Sequence, residues 1–390
     1  MVDIKNKKDC CGCASCANVC PKNCITMKSD IEGFLYPYVE KSNCVQCNLC
    51  EKSCPITNVK EVINEPKAYG CYNKDENVRM RSSSGGFFHI LCEFVIKQKG
   101  VVFGAAFDEN FDVYHDYAET MDECEKFKGS KYAQSTIGDS YKKAKGFLDD
   151  GSIVLFSGTP CQIAGLYTYL KRDYDNLFTQ DIVCHSVPSP KIWDEYKESI
   201  SNNKIIKNIT FRGKENGWSQ GTFKMYLGDG EIVSLPYAET EYMKGFLNGL
   251  YSRPSCYDCK FSKINRQSDI TLGDFWGVES FYPELFDNKG VSVVLINSKK
   301  GKYLFDYVKD MLVYKKVKID KALFYNPAIN NCARENPNRD DFFDSKDCLS
   351  DKVNKYFYKF DVTQKIHKQN IMEKIKSKLY LLKGRELWKL

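Results

Sequence analysis

No apolar run in this 390-residue chain approaches the roughly 20 residues that a helix needs to cross a bilayer, so a protein built on membrane-spanning helices is not expected. The opening MVDIKNKKDCC lacks a basic segment followed by an apolar one, and no secretory leader is read there. A positively charged face is missing too. The net charge is +6, but residues 365–390 hold eight Lys/Arg and two Asp/Glu, which leaves residues 1–364 neutral. The basic excess is a tail and not a face, so nucleic acid is not an expected partner. Internal repeats are absent as well, with one exception.

That exception is a doubled cysteine run. Cys10–Pro21 (CCGCASCANVCP) and Cys44–Pro55 (CVQCNLCEKSCP) both read C-x2-C-x2-C-x3-C-P. This is the ligand run of bacterial two-cluster ferredoxins, in which the fourth cysteine of each run serves the other cluster. The spacing assigns Cys10, Cys13, Cys16 and Cys54 to one 4Fe–4S cluster, and Cys44, Cys47, Cys50 and Cys20 to a second. Zinc takes four ligands and would strand half of each run. An oxygen-sensitive iron–sulfur chain without an export signal is expected in a reducing cytoplasm. Cys11 and Cys24 fall outside the pattern and read as small buried side chains. Cys71, Cys92, Cys124, Cys332 and Cys348 read as core or surface thiols.

A hydrophobic content of 43% supports a packed core, and the length suggests two or three domains. Between the cysteine runs, Ile25 to Val39 reads as a hairpin. Asn58 to Pro66 reads as a linker. Lys67–Tyr72 is then a strand, and Arg81-Ser-Ser-Ser-Gly-Gly86 leads into a helix over Phe87–Lys99, with Ser84 as the expected N-cap. Val101–Phe107 is an apolar strand. Helix–strand–loop units follow: a helix over Asp139–Leu148, a strand over Ser152–Phe156 and a helix over Gln162–Arg172. A further strand, Phe178–Val183, precedes a helix that begins after Pro190. Cys161 and Cys184 fall just beyond the ends of these two strands, where open α/β sheets bind ligands. Ile205–Tyr237 is β-rich with a hairpin turn at Gly228-Asp229-Gly230, Glu239–Tyr251 reads as a helix, and Asp269–Gly277 and Val291–Asn297 contain strands.

The stretches RSSSGGFF (Arg81–Phe88), KGSKYAQS (Lys128–Ser135), FSGTPCQIAGL (Phe156–Leu166), DIVCHSVPSP (Asp181–Pro190), CYDC (Cys256–Cys259) and DITLGDFWG (Asp269–Gly277) follow the two cysteine runs in order. Over roughly residues 1–335, this set resembles the beta subunits of coenzyme F420-reducing hydrogenases and F420-linked dehydrogenases, in the variant fused to an N-terminal two-cluster ferredoxin. The resemblance implies an α+β protein. It has a two-cluster ferredoxin-like domain over 1–58, an α/β mixed-sheet flavin and iron–sulfur domain over 67–345, and a helical C-terminal extension over 346–390.

The resemblance also implies a third 4Fe–4S cluster on Cys161, Cys184, Cys256 and Cys259. It makes Ser83, Ser84, Gly85 and Gly86 contacts for the FAD pyrophosphate. The loop of Gly129, Ser130, Lys131 and Tyr132 becomes a flavin-ring contact, in which Lys128 or Lys131 stabilises an anionic reduced ring. His185 is either a proton donor or a structural neighbour of Cys184. The family often has glycine where this chain has Ser186, which could crowd the third cluster. Coenzyme F420 enters by the family name alone, since no strong deazaflavin-pocket signature is present.

The expected function is that of an iron–sulfur flavoprotein oxidoreductase. It passes electrons between a ferredoxin or another one-electron carrier and FAD, for a two-electron reaction of a small-molecule substrate. The alternatives are a non-catalytic electron-transfer subunit feeding a partner oxidoreductase subunit, and a true F420-linked beta subunit. In the tail, Ile371, Ile375, Leu379 and Leu382 form one helical stripe among Lys374, Lys376, Lys378 and Lys383, with Trp388 near the end. A basic amphipathic helix of this kind either docks on the protein's own core or lies on an anionic membrane, here the inner surface.

Overall fold

The computed structural model describes residues 1–360, so the expected amphipathic helix of residues 365–390 lies outside the described residues. The doubled cysteine run folds as a doubled backbone. In the first run Gly12 and Ala14 take positive φ (72° and 57°), and in the second Gln46 and Asn48 do the same (53° and 58°). Each run then closes in a single helical turn, Ser15–Asn18 and Leu49–Lys52. Alternation of this kind turns successive amides inward into an anion-binding concavity, a geometry that recurs at iron–sulfur sites. The expected hairpin between the runs is β1 (Ile25–Ser29) paired antiparallel with β2 (Leu35–Val39).

Residues 59–66 form no helix or strand, and Asn64 pins them by donating to the carbonyls of Arg266 and Asn297 at 3.0 and 3.2 Å. The chain then builds a mixed eight-stranded sheet. Its strands are β3 (Lys67–Asn73), β4 (Val101–Phe107), β5 (Val113–Ala118), β6 (Val154–Gly158), β7 (Leu177–Ile182), β11 (Ile270–Asp274), β12 (Ser292–Ile296) and β13 (Leu312–Lys316). An antiparallel trio, β8 (Ile206–Gly213), β9 (Thr222–Leu227) and β10 (Ile232–Pro236), stands apart from it. The large sheet runs β13-β3-β12-β11-β7-β6-β4-β5, with β11, β7, β6 and β4 mutually parallel.

Side chains alternate across a strand, and this sheet is covered on both faces. Val102 and Leu155 join one core, where the helices Phe87–Lys97 and Lys299–Val308 contribute Ile90, Leu91, Leu304 and Phe305. Val101, Phe103, Val154 and Phe156 point the other way. They meet the helices Ser140–Asp149 and Pro160–Leu170 together with Ala14 of the N-terminal unit. The trio packs against the helices Pro190–Ser201, Glu241–Leu247 and Leu349–Tyr356 through an aromatic core that includes Trp193, Tyr196, Phe211 and Tyr242.

Two details correct the sequence reading. The helix after RSSSGG is capped by Gly86 (φ 83°) and not Ser84, because only the residue directly before Phe87 turns the chain into the helix. The edge strands β5 and β13 were not anticipated, since their alternation is diluted by charge, as in Leu312-Val-Tyr-Lys-Lys316.

The N-terminal unit is held against the sheet by buried polar contacts. The Arg339 guanidinium donates twice to the Glu32 carboxylate, at 2.9 and 2.6 Å, with both side chains buried. The Ser189 hydroxyl donates to the Glu32 carbonyl, and Lys191 donates to Ile31 O at 3.0 Å. The hairpin tip is therefore seated on the start of the Pro190–Ser201 helix. Arg339→Met leaves Glu32 buried with only Lys7 near it, at 3.7 Å. This should cost roughly 3–5 kcal/mol in denaturant unfolding, with most of it recovered in Glu32→Leu/Arg339→Met. A single variant as stable as the parent would show that the pair does not hold the two units together.

Candidate functional site

The carboxyl ends of β6, β7 and β11 open on a cavity of about 590 Å³, within the range of small-molecule and cofactor sites. Its wall gathers stretches that the sequence had singled out separately. Ser83, Ser84 and Gly86 come from the approach to the Phe87–Lys97 helix, Lys128 to Tyr132 from the next loop, and Cys184 and His185 from the end of β7.

The two loops are tied to each other. Ser83 Oγ accepts from the Ser130 N–H at 2.7 Å and lies 2.9 Å from the Ser130 hydroxyl. Ser84 turns its hydroxyl to Val291 O (3.0 Å), and its own carbonyl accepts from Lys214 Nζ at 2.6 Å. Lys214 also donates to the carbonyls of Arg79 and Lys289, so one ammonium fixes three segments. Gly86 and Gly129 (φ 81°) both line the cavity in left-handed backbone that favours glycine. Gly85 does not reach the wall: its amide donates to Ser292 Oγ (2.9 Å), and a Cβ there would stand 2.5 Å from Cys71 O. Its smallness lets the loop lie on the sheet.

The two lysines differ. Lys128 is ion-paired with Glu125. Among the described residues the Lys131 ammonium donates only to carbonyls, those of Lys128 at 3.0 Å and Gly129 at 3.4 Å, with the Phe107 ring centre 5.5 Å away. The low-dielectric wall brings its ammonium down to about 7. Deeper in, burial brings His115 down to about 4, so its imidazole is neutral. Its Nε2 lies 3.0 Å from Ser157 O, which can only accept, so Nε2 carries the proton and Nδ1 accepts from the Ser135 hydroxyl at 2.9 Å. Gln162 in turn donates to Ser135 Oγ at 2.9 Å. The opposite wall is aromatic and charged. Arg212, ion-paired with Asp274, lies 5.0 Å from the Trp276 ring centre and 5.5 Å from that of Tyr237. His185 sets its edge against Phe246 and is lowered by desolvation.

The thiols fall into three neighbourhoods. A small hollow of about 20 Å³ is lined by Cys20, Cys44, Cys47 and Cys50, the crossed set expected for one cluster, together with Cys24. Cys16 has its thiol pushed up to about 12 by burial, then by Cys10 and Cys54. Burial raises Cys184, as do the neighbouring thiols of Cys256, Cys161 and Cys259, the remaining expected set, while Arg266 acts against them. Among the described residues no three His, Cys, Asp or Glu converge closely enough for a single metal ion. Zinc requires that convergence, with donors about 2.0–2.3 Å away; a four-iron cluster spreads its thiolates around a larger body.

Cys11 and Cys24 are buried as expected, but each also touches expected ligands. Cys24 Sγ lies 3.4 Å from Cys20 Sγ, and the Cys11 thiol is within hydrogen-bond reach of Cys13 and Cys161. Cys332 accepts from the Cys259 amide at 3.1 Å. The Ser186 hydroxyl is buried and pairs with that of Ser252 at 2.8 Å.

Arg212, Lys214, His115 and the buried Arg253 were not singled out from the sequence, because no spacing or motif marks them.

An iron–sulfur electron-transfer protein is the class that this arrangement defines. Residues 9–58 match the model of the 4Fe–4S dicluster domain, and residues 151–322 match that of the C terminus of the coenzyme F420 hydrogenase/dehydrogenase beta subunit. Residues 151–322 are thus related to the C-terminal part of that beta subunit, with the dicluster domain placed in front. An uncharacterized ferredoxin of Methanocaldococcus jannaschii is 32% identical over 74 residues, which cover 19% of this chain and 88% of the ferredoxin. A chain of the F420-reducing [NiFe] hydrogenase complex from Methanosarcina barkeri is similar at 17% identity and a TM-score of 0.46, over 76% of this chain and 91% of that one. Among the described residues no helix is long and apolar enough to cross a membrane.

Lys131 allows a pH test. Its folded pKa lies below the unfolded value, so the folded state binds fewer protons between about pH 7 and pH 10, and its contribution to stability rises with pH across that window. Lys131→Met should therefore melt higher than the parent at pH 6, with the difference closing by about pH 10. A difference that does not change with pH would mean that Lys131 keeps an ordinary ammonium.

Proposed function

We propose that the chain is an iron–sulfur flavoprotein oxidoreductase with a ferredoxin domain over 1–58 and a flavin and iron–sulfur domain over 67–345. In this reading Cys10, Cys13, Cys16 and Cys54 hold one 4Fe–4S cluster and Cys20, Cys44, Cys47 and Cys50 a second. Cys161, Cys184, Cys256 and Cys259 hold the third. FAD lies in the cavity between Ser83, Ser84, Gly86 and Gly129 to Tyr132, where it supplies the exchange between single electrons and a two-electron reaction.

One observation carries the reading, and it is continuity. Cys161 and Gly165, one turn apart on the Pro160–Leu170 helix, lie toward the N-terminal unit. The contact is so close that a Cβ on Gly165 would stand 3.0 Å from Cys13 Sγ. On the other side of the same thiol set, Cys184 forms part of the cavity wall. The ferredoxin cysteines, the second-domain thiols and the cavity are thus one packed series.

The chain's own residues support both ends of that series. Ser83 and Ser130 hold the two cavity loops together. Lys131, with no carboxylate partner among the described residues and a proton that it holds only up to about neutral pH, is the cation placed to meet negative charge in the cavity. A concave site favours a small-molecule substrate over the flat docking face that a protein partner would need. Coenzyme F420 remains an assay question for the same cavity, answered by anaerobic turnover with it as acceptor.

Protein purified and reconstituted anaerobically should contain about twelve iron and one FAD per chain, and Cys256→Ser/Cys259→Ser about eight iron with the ferredoxin signals intact. Iron unchanged in the double variant would sink the third cluster. Full iron with no flavin retained, even after FAD is added, would sink the flavoprotein reading.

A further inference from the structure

Arg253 is 1% exposed at the junction of the two units. Its guanidinium donates through Nε to Cys10 O at 2.7 Å, through one terminal nitrogen to Gln134 Oε1 at 2.9 Å, and through the other to Leu35 O at 2.9 Å. The last nitrogen also lies 3.5 Å from Cys10 Sγ. The Tyr36 ring covers the cation at 4.3 Å. Its own backbone is woven into the second-domain thiols. The Arg253 amide donates to Val187 O, three residues beyond Cys184, and its carbonyl accepts from the Cys256 amide, each at 2.9 Å. Glycine at position 12 is part of the fit, since a Cβ there would stand 2.8 Å from a terminal nitrogen of Arg253.

A buried guanidinium normally has a carboxylate partner, because an uncompensated buried charge is costly. Among the described residues this one has none within ion-pair distance. Burial works against its charge, and the groups that sustain it are Cys10, Tyr36, Cys11 and Cys256. Two of these four, Cys10 and Cys256, belong to the sets that the proposed function assigns to clusters. A cation fixed beside a cluster stabilises its reduced, more negative state, and net charge and hydrogen bonds at sulfur are established levers on cluster potential.

We propose that Arg253 is the positioning residue of the junction: it raises the reduction potential of the cluster held by Cys10 and keeps that cluster seated against the second-domain thiols. This inference rests on the cluster assignment above. It places the Cys10 cluster, and not the remote one ringed by Cys20, Cys44, Cys47 and Cys50, as the member tuned toward the second domain.

The test is an anaerobic redox titration followed by electron paramagnetic resonance, on the full chain after iron analysis. The variants are Arg253→Gln, which removes the charge; Arg253→Lys, which keeps it; and Gln134→Glu, which sets a carboxylate against the guanidinium and cancels its field. Arg253→Gln and Gln134→Glu should each move one ferredoxin cluster to lower potential and leave the other ferredoxin cluster in place, while Arg253→Lys stays near the parent. If Arg253→Gln fails to load iron, Gln134→Glu carries the measurement. Full iron with unmoved potentials in Gln134→Glu, or a shift in Arg253→Lys as large as that in Arg253→Gln, would overturn the inference. A parent protein with only two clusters would overturn the third-cluster assignment instead, while the shift of the Cys10 cluster could still be read.

Discussion

Everything functional in this chain depends on how closely Cys13 can approach the helix Pro160–Leu170. A Cβ at Gly165 would lie 2.8 Å from Cys13 Cβ and 2.9 Å from the Tyr141 hydroxyl, so no other residue lets the two units meet at this distance. Tyr141 is itself fully buried and donates to Gln162 O, which fixes the neighbouring helix in the same contact. The approach matters to the proposed function because clusters held in separate units would exchange electrons efficiently only when they are near. The chain achieves this by packing and not by a shared strand. The pairs Glu32–Arg339 and Ser189–Glu32 then hold the orientation from the far side, where the hairpin tip meets the sheet domain.

The electrostatics follow from that contact. Residues 1–364 carry no net charge, yet the proposed clusters would add negative charge at the junction and behind the cavity. The buried cations stand where that charge would be. Arg253 lies at the junction, Lys131 and Arg212 at the cavity, and Lys214 beneath the loop that ends in Ser84. Among the described residues only Arg212 of these four has a carboxylate partner, in Asp274. Burying a lone cation is unfavourable in the absence of an anion, and bound anionic cofactors of the kind proposed would supply one.

How much of this was legible in the sequence depended on whether a residue was marked by spacing. The doubled C-x2-C-x2-C-x3-C-P run predicts crossed cysteine sets, and Cys20 does lie with Cys44, Cys47 and Cys50 around one hollow. Strand β4 and the hairpin were readable from apolar runs bounded by turns, and β6 and β7 came within two residues of their observed limits. The convergence of RSSSGG, KGSKY and CHS on one cavity was available through family resemblance and not through any local pattern. Gly85 illustrates the limit: its motif placed it with the cavity loop, while its actual constraint is the carbonyl of Cys71 in β3 behind it. Arg253 was invisible for a different reason. A single arginine before Pro254 has no period and no motif, and its partners at Cys10, Leu35 and Gln134 are 243, 218 and 119 residues away in the chain.

The position of the cavity follows from the sheet. Four parallel strands end side by side, and their exits diverge into the loops that carry Gly158-Thr159, Cys184-His185 and Asp274. Divergent exits leave a crevice at the carboxyl edge, and the SSSGG loop and the antiparallel trio close it from two sides. Cys161 and Cys184 are the residues that follow two of these exits, so thiol set and cavity are neighbours by topology. The ferredoxin unit docks on the face of the same sheet, against the helix that begins at Pro160. The ferredoxin unit and the cavity thus meet the same helix and its preceding loop, through Gly165 on one side and Gly158-Thr159 on the other. That economy of distance explains why a residue as remote in sequence as Arg253 belongs to the same electrostatic unit as Cys10.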